Sequence, residues 1–442
     1  MTAPTTVRRR HDREILSLAV PAFGALVAEP LFLMADSAIV GHLGTPQLAG
    51  VGVASAALTT VTGVFVFLAY ATTAAVARRI GAGDRRAAIR QGIDGIWLAL
   101  ALSVGVVALT LLLAPWTAEV LGASATAAPY AVSYLRISAL GIPAMLMVMA
   151  ATGVLRGFQD TRTPLLVAIA GFTANVGLNA GLVYGAGLGV AGSAWGTVLA
   201  QTGMAAAYLF VVVRGARRER APLRPDPAGI RACARAGGPL MVRTLSLRAI
   251  LMIATAVAAG LGDDQIAAHQ IAMTVFLFIA FALDAIAIAG QAIIGRYLGA
   301  GDVPGARAAT RRMIEWGTGA GLVLGLLVVA ARPLYVPLFT PDPAVQAQLG
   351  TVLLLLALCQ PVAGLVFVLD GVLMGAGDGP YLAWAMLATL AVFAPVALAV
   401  PATGTGLAGL WWAMNLFMLV RGAFLAWRAR GGKWLVTGAV RA

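Results

Sequence analysis

The sequence predicts an all-α integral membrane protein: twelve transmembrane helices in two parallel six-helix bundles related by pseudo-two-fold symmetry. Three observations carry this. The chain of 442 residues is 60% hydrophobic and only 11% charged, with a mean hydropathy of +0.89, whereas soluble domains carry ~25% charged residues. Its basic residues lie almost entirely in alternate loops. Its two halves repeat at a fixed offset of 218 residues.

A spanning helix needs ~20 apolar residues. Runs of that kind, punctuated by Gly, Pro and Arg, place spans near 15–40, 46–77, 88–113, 127–155, 163–184, 188–213, 236–260, 265–295, 309–331, 345–374, 380–400 and 406–427. The run from Ile15 to Val40 is too long for a signal-peptide core and is followed at once by another span, so it reads as a retained first helix. With the N-terminus inside, the inner segments collect 27 of the 31 basic residues, Arg421 and Arg428 among them. The outer loops hold only Arg332, while Arg136, Arg243 and Arg248 fall within spans. That asymmetry predicts cytoplasmic termini. The net charge of +13 therefore reports topology and not nucleic-acid binding. Abundant Ala, Gly and Arg suit a high-GC bacterial genome, and the expected location is the bacterial cytoplasmic membrane.

The repeat is read from short motifs. "IGAGD" ends at Asp84 and "LGAGD" at Asp302; "RGFQD" ends at Asp160 and "MGAGD" at Asp378. Pro21 pairs with Pro239, and "HLGTPQLAG" from His42 with "GLGDDQIAA" from Gly260. Six spans per half make the repeat parallel, its axis along the membrane normal. The expected domains are an N-terminal lobe, 1–213, a cytoplasmic linker, 214–235, and a C-terminal lobe with its tail, 236–442. The four motif aspartates, Asp84, Asp160, Asp302 and Asp378, are expected to cap helices at the inner face.

No G-x-x-x-x-G-K-[ST] occurs, and no stretch is polar enough to form a catalytic module, so an ATP-driven pump and a membrane enzyme are excluded. Cys233 and Cys359 stand alone, outside any C-x-x-C or zinc spacing. No cofactor is expected.

The set of motifs resembles the multidrug and toxic compound extrusion (MATE) family, specifically its bacterial DinF-like branch. It is carried by "PLFLMADSAIVGHLG" in span 1, "ARRIGAGD" after span 2, "GVLRGFQDTRTPL" after span 4, "NVGLNAGLVYGAGLGVAGSAWGTVLAQ" in spans 5 and 6, "GQAIIGRYLGAGD" at span 8 and "LDGVLMGAGD" at span 10. The resemblance implies two bundles in a V, opening alternately to either side, and export of organic cations or amphipathic drugs against inflowing protons or sodium.

The resemblance makes Asp36 the cation-coupling residue, and the residues themselves agree. A carboxylate at the centre of a spanning helix costs at least roughly 2.5–3.5 kcal/mol, and it can alternate between protonated and ionised forms as water access changes. Asn175 and Asn179 lie at i, i+4 on span 5, with amides on one face. Asn179 and Asp36 are at similar depth, and Thr197 on span 6 is somewhat deeper. Together they are an oxygen cage that suits sodium or steers a proton. The family often has a second acid at the position of Asn179, so this chain offers sodium less charge; a proton is expected, with sodium at Asp36, Asn175, Asn179 and Thr197 as the alternative. Tyr134 matches a family residue lining this cavity. Pro21 and Pro30 are hinge candidates in span 1, because proline removes a backbone hydrogen bond, and Glu29 is a candidate for the cleft.

In the C-terminal half, Arg248 and Asp284 lie at matching depth, as do Arg243 and Asp370. Two buried ion pairs are expected, with a substrate-facing or relay role as the alternative. His269 is expected at the polar rim of span 8. Small organic cations are the expected cargo, since Glu29, Asp36, Asp284 and Asp370 outnumber Arg136, Arg243 and Arg248 in the membrane. A monomer without nucleic-acid partners is expected. The rival readings are a lipid-linked or oligosaccharide flippase of the same superfamily, which a basic cleft would favour, and a channel or scaffold.

Overall fold

The computed structural model describes residues 5–441, with backbone alone at 5–8, 29 and 33. No strand occurs among the described residues. The helices are α1 (Thr5–Gly41), α2 (Thr45–Phe65), α3 (Phe67–Gly81), α4 (Arg85–Val120), α5 (Ala128–Ala139), α6 (Ile142–Gly157), α7 (Arg162–Ala180), α8 (Gly189–Arg218), α9 (Pro227–Leu261), α10 (Asp263–Gly299), α11 (Val303–Phe339), α12 (Pro343–Gly375), α13 (Gly379–Thr403) and α14 (Gly406–Arg430). A π-helical turn, Gly181–Gly185, extends α7.

Among the described residues, eleven helices or continued helices, α2 with α3 counting as one, are long and apolar enough to cross a membrane; α5 and α6, bent by 53°, make a twelfth. The bend falls just before Pro143, whose missing N–H and ring interrupt the helical ladder. Large apolar side chains such as Leu112, Phe210 and Leu338 stand exposed on the outer faces of their helices, as lipid contact requires. The twelve-helix fold class is thus what the chain adopts.

The chain forms two compact units. One joins the residues up to Phe23 with Pro239–Ala442; the other is Gly24–Gly238. The units therefore divide α1 and α9 close to the repeat-related Pro21 and Pro239. In the first unit, Asp12 pairs with Arg312 (Nε–Oδ1 2.6 Å) and accepts from Trp316 Nε1 at 2.7 Å, while Glu14 pairs with Arg296. In the second, the start of α9 lies against α4, where Gln91 Nε2 donates to Cys233 Sγ at 2.7 Å.

Packing repeats with the sequence. A Cβ at Gly153 would stand 2.5 Å from the Ala69 carbonyl, and one at Gly371, 218 residues on, 2.3 Å from the Ala287 carbonyl. Glycine at both lets α6 meet α3 and α12 meet α10 at backbone contact, the small-residue packing that holds membrane helices together. Asp84 and Asp302 cap α4 and α11 by accepting from Ala87 N and Gly305 N, each at 2.8 Å. Asp160 accepts from Thr163 N at 2.9 Å. Asp378 departs from expectation: its side chain makes no cap bond. It is buried and pairs with Arg428 (2.7 Å) and Arg441 (2.9 Å). Two guanidiniums from the C-terminal segment outcompete the local backbone N–H because each is a charged partner.

Candidate functional site

In the Gly24–Gly238 unit, the carboxylate of Asp36 on α1 is buried in the apolar interior. Asp36 is 4% exposed. Three donors from three helices converge on it. Asn179 Nδ2 on α7 donates to Oδ1 at 2.6 Å, Ser193 Oγ on α8 donates to the same oxygen at 2.7 Å, and the Tyr134 hydroxyl on α5 donates to Oδ2 at 3.3 Å. Neither the hydrogen bonds nor the ion pairs of the described residues give Asp36 a cationic partner. Tyr134 itself sits in an apolar cluster with Val40, Val51, Ala54, Ala114, Leu135, Val190 and Ala194, which keeps bulk water from one side of the carboxylate.

Asn175 and Thr197 form a second layer. Asn175 Nδ2 donates to Thr197 Oγ1 at 3.2 Å, one helical turn from Asn179. The amide oxygens of Asn175 and Asn179 are buried without any hydrogen-bond partner. The site thus combines a carboxylate met by three neutral donors with two spare hard oxygens. Unmade buried acceptors cost about 1–3 kcal/mol each. Asn179 fits only because Gly196 faces it: a Cβ there would lie 1.9 Å from Asn179 Oδ1.

Ser193 went unrecognised in the sequence, although it lies four residues before Thr197 on one face of α8, the same i, i+4 signal that found the asparagines. Tyr184 was also missed. The π-helical turn carries its hydroxyl to the Ile39 carbonyl at 2.6 Å, and no sequence period announces such a turn. Pro21 and Pro30 lie within α1, which runs on as helix through both. The side chain of Glu29 lies outside the described residues.

In the other unit, Asp370 is 3% exposed and held by two arginines. Arg243 forks onto it, with Nε on Oδ1 at 3.1 Å and Nη2 on Oδ2; Arg421 Nη2 reaches Oδ1 at 3.1 Å. Arg421 is therefore no inner-loop charge but a buried member of this cluster. Asp284 is half-buried and within electrostatic reach of Arg421. Arg248 makes no ion pair among the described residues, so the expected Arg248–Asp284 pair does not form. His269 is fully buried and not at a rim.

Comparisons with known proteins agree with this architecture. The MatE family model matches residues 21–180 and 239–399, two segments whose starts are 218 residues apart. The chain is 33% identical to Protein DETOXIFICATION 44, chloroplastic, of Arabidopsis thaliana, over 95% of this chain and 83% of that one. It is 29% identical to DNA damage-inducible protein F of Escherichia coli (strain K12), over 96% and 94%. The crystal structure of the Vibrio cholerae MATE transporter VcmN in the bent form shares the fold, with a TM-score of 0.88 over 98% of each chain at 22% identity. With the family matched across both halves of the repeat, the chain belongs to the MatE family, whose members are multidrug and toxic compound efflux transporters and not enzymes.

Proposed function

We propose that this chain is a secondary active antiporter, of the DinF-like branch, that exports cationic or amphipathic organic compounds in exchange for inflowing protons by alternating access. It works as a monomer in the bacterial cytoplasmic membrane, with both termini in the cytoplasm and lobes that correspond to the two halves of the repeat. The observation that carries this reading is Asp36, a buried carboxylate that meets three neutral donors and no cation.

The chemistry follows from those partners. Ionised, Asp36 accepts from Asn179, Ser193 and Tyr134. Protonated, it needs an acceptor, and the unpartnered Asn179 Oδ1 can serve after the amide turns over. Proton uptake therefore changes the hydrogen bonding between α1 and α7. Helix α1 carries that change past Pro30 and Pro21, where a missing backbone hydrogen bond lets it bend. Low external pH loads the site from outside, and higher internal pH unloads it inside, so an inward proton gradient drives cargo outward. Sodium would need oxygen ligands with more charge than one carboxylate and neutral dipoles supply, since Asn175, Asn179 and Thr197 contribute no full charge.

Asp370 serves as a structural counter-ion in this reading. Both of its oxygens are engaged by guanidinium groups, so neither is free for a cationic cargo. Asp284, Arg248 and Glu29 remain the candidates for cargo contact. Efflux of an organic cation from proteoliposomes, under a proton or a sodium gradient imposed separately, tests the function. Export under neither gradient would sink it.

A further inference from the structure

The segment Glu219–Asp226 joins two spanning helices, α8 and α9, and so runs along the membrane surface. It is not a free tether. Arg85 Nε of α4 pairs with Glu219 at 3.1 Å, Arg90 Nη1 donates to the Pro222 carbonyl at 3.2 Å, and Trp97 Nε1 donates to the Leu223 carbonyl at 3.0 Å. Arg90 also lies between two carboxylates, with Nη2 3.6 Å from Asp226 Oδ2 and Nε 3.6 Å from Oδ2 of the buried Asp94. Gly229, in the first turn of α9, lets that helix close onto Asp94: a Cβ there would stand 2.2 Å from Asp94 Oδ2. Helix α4 thus fastens the segment by both charge and backbone contacts.

What this fastening leaves outward is basic. From Arg214 to Arg235 the chain has seven arginines, no lysine and two acids. The two acids are Glu219 and Asp226, which α4 already engages. All seven arginines are exposed, and none has a hydrogen-bond or ion-pair partner among the described residues. Arg220 adds a further sign. Its φ of +52° is left-handed, at a helix end where glycine would sit without strain, and Ala221 N closes α8 there onto the Ala216 carbonyl at 2.8 Å. A strained arginine with no partner in the chain has its use outside the chain.

We propose that this strap is a docking surface for anionic phosphodiester lipids of the inner leaflet, phosphatidylglycerol being the simplest. A guanidinium offers a phosphate two parallel N–H donors. Basic segments beside a spanning helix are drawn to an anionic lipid surface. Because α4 has already fixed the backbone, little freedom is left to lose on binding. The strap takes its side of the membrane from the orientation proposed above and needs nothing of the export reading.

The test uses the delipidated full chain in neutral detergent with equal phosphatidylglycerol and phosphatidylcholine, and native mass spectrometry counts which lipid stays bound. The parent is expected to retain phosphatidylglycerol preferentially, and less so as salt rises. Arg217→Gln, Arg224→Gln and Arg231→Gln together should lower the preference by about fivefold or more, fivefold being the factor for one arginine near an anionic surface. Arg307→Gln, Arg311→Gln and Arg430→Gln together remove the same charge from exposed arginines of the other unit. Position is read by hydrogen exchange: phosphatidylglycerol should slow the amides between Arg214 and Arg235 in the parent and in the second triple variant, but not in the first. No preference for phosphatidylglycerol, equal loss in the two triple variants, or exchange that ignores the lipid overturns the proposal. Inorganic polyphosphate that displaces the lipid at equal charge overturns it too, since the partner would then be a soluble polyanion. The salt and exchange measurements on the parent decide the matter even where a variant fails to fold. No gradient or cargo is present, so this proposal and the export reading fail separately.

Discussion

Asn179 Nδ2 donates to Asp36 Oδ1 at 2.6 Å while its own Oδ1 stays buried and unpartnered. One amide therefore offers the carboxylate a donor in one orientation and an acceptor in the other. A group placed this way can follow the protonation state of Asp36 by turning about a single bond.

Asp36→Asn keeps the shape of the side chain and removes the titratable group. Uphill efflux is expected to fall to the background of empty vesicles. Stability in detergent should change by less than about 2 kcal/mol, because an amide can still meet some of the three donors. Full efflux by Asp36→Asn at normal expression would end the coupling assignment.

The steric fit of Asn179 gives a second test away from the carboxylate. Gly196→Ala places a methyl 1.9 Å from Asn179 Oδ1 and 3.0 Å from its backbone nitrogen. Overpacking of this kind costs about 1–3 kcal/mol, and efflux should drop with it. Gly177→Ala, whose new methyl meets nothing within 4 Å, is the matched control and should leave both melting and efflux as they were. Equal behaviour of the two variants would contradict the packing argument.

Asp370→Ala strands Arg243 and Arg421 in a low-dielectric interior. Breaking a buried ion pair by removing one partner costs about 3–5 kcal/mol, so a loss of that order in detergent melting is expected. Because both carboxylate oxygens are engaged by arginine, the double change Arg243→Met with Asp370→Asn should recover part of the lost stability. A single Asp370→Ala variant that melts normally but loses cargo binding would move Asp370 from counter-ion to cargo site.

What the sequence made legible, and what it hid, follows from the range of each signal. Asp36 announced itself because a carboxylate in an apolar run has few cheap explanations, and Asn175 and Asn179 because i, i+4 spacing fixes a shared face. Depth matching finds Arg243–Asp370, but it carries no information on rotation about the helix axis, so it also pairs Arg248 with Asp284 and leaves Arg421 at the inner face. Asp378 looked like a cap because its motif repeats that of Asp84 and Asp302. Its true partners, Arg428 and Arg441, lie 50 and more residues away. His269 was placed at a rim by the ordinary preference of histidine for water, which tertiary burial against Trp411 overrides.

Asn179→Asp would put a second acid beside Asp36. Two carboxylates in contact at the site repel unless a cation lies between them. The variant should therefore gain a sodium-dependent component of efflux that the parent lacks. An unchanged ion preference would mean that Asn179 does not set the choice of ion.

The identity of the driving ion rests on a charge argument. A sodium ion gives up strongly held water on entering the site, and oxygen ligands must replace it. Asp36 supplies one full charge; Asn175, Asn179 and Thr197 supply dipoles, and two of those dipoles already serve as donors, to Asp36 and to Thr197. Taking sodium would leave the ion with a single formal charge against it. A proton needs Asp36 alone, plus the acceptor that the turned Asn179 amide provides. The expected outcome is drug efflux from proteoliposomes driven by an inward proton gradient with sodium absent, and none with an inward sodium gradient at equal pH on both sides. If the sodium gradient alone drives export while the proton gradient alone does not, the proton assignment is wrong, and the two spare amide oxygens belong to a sodium site.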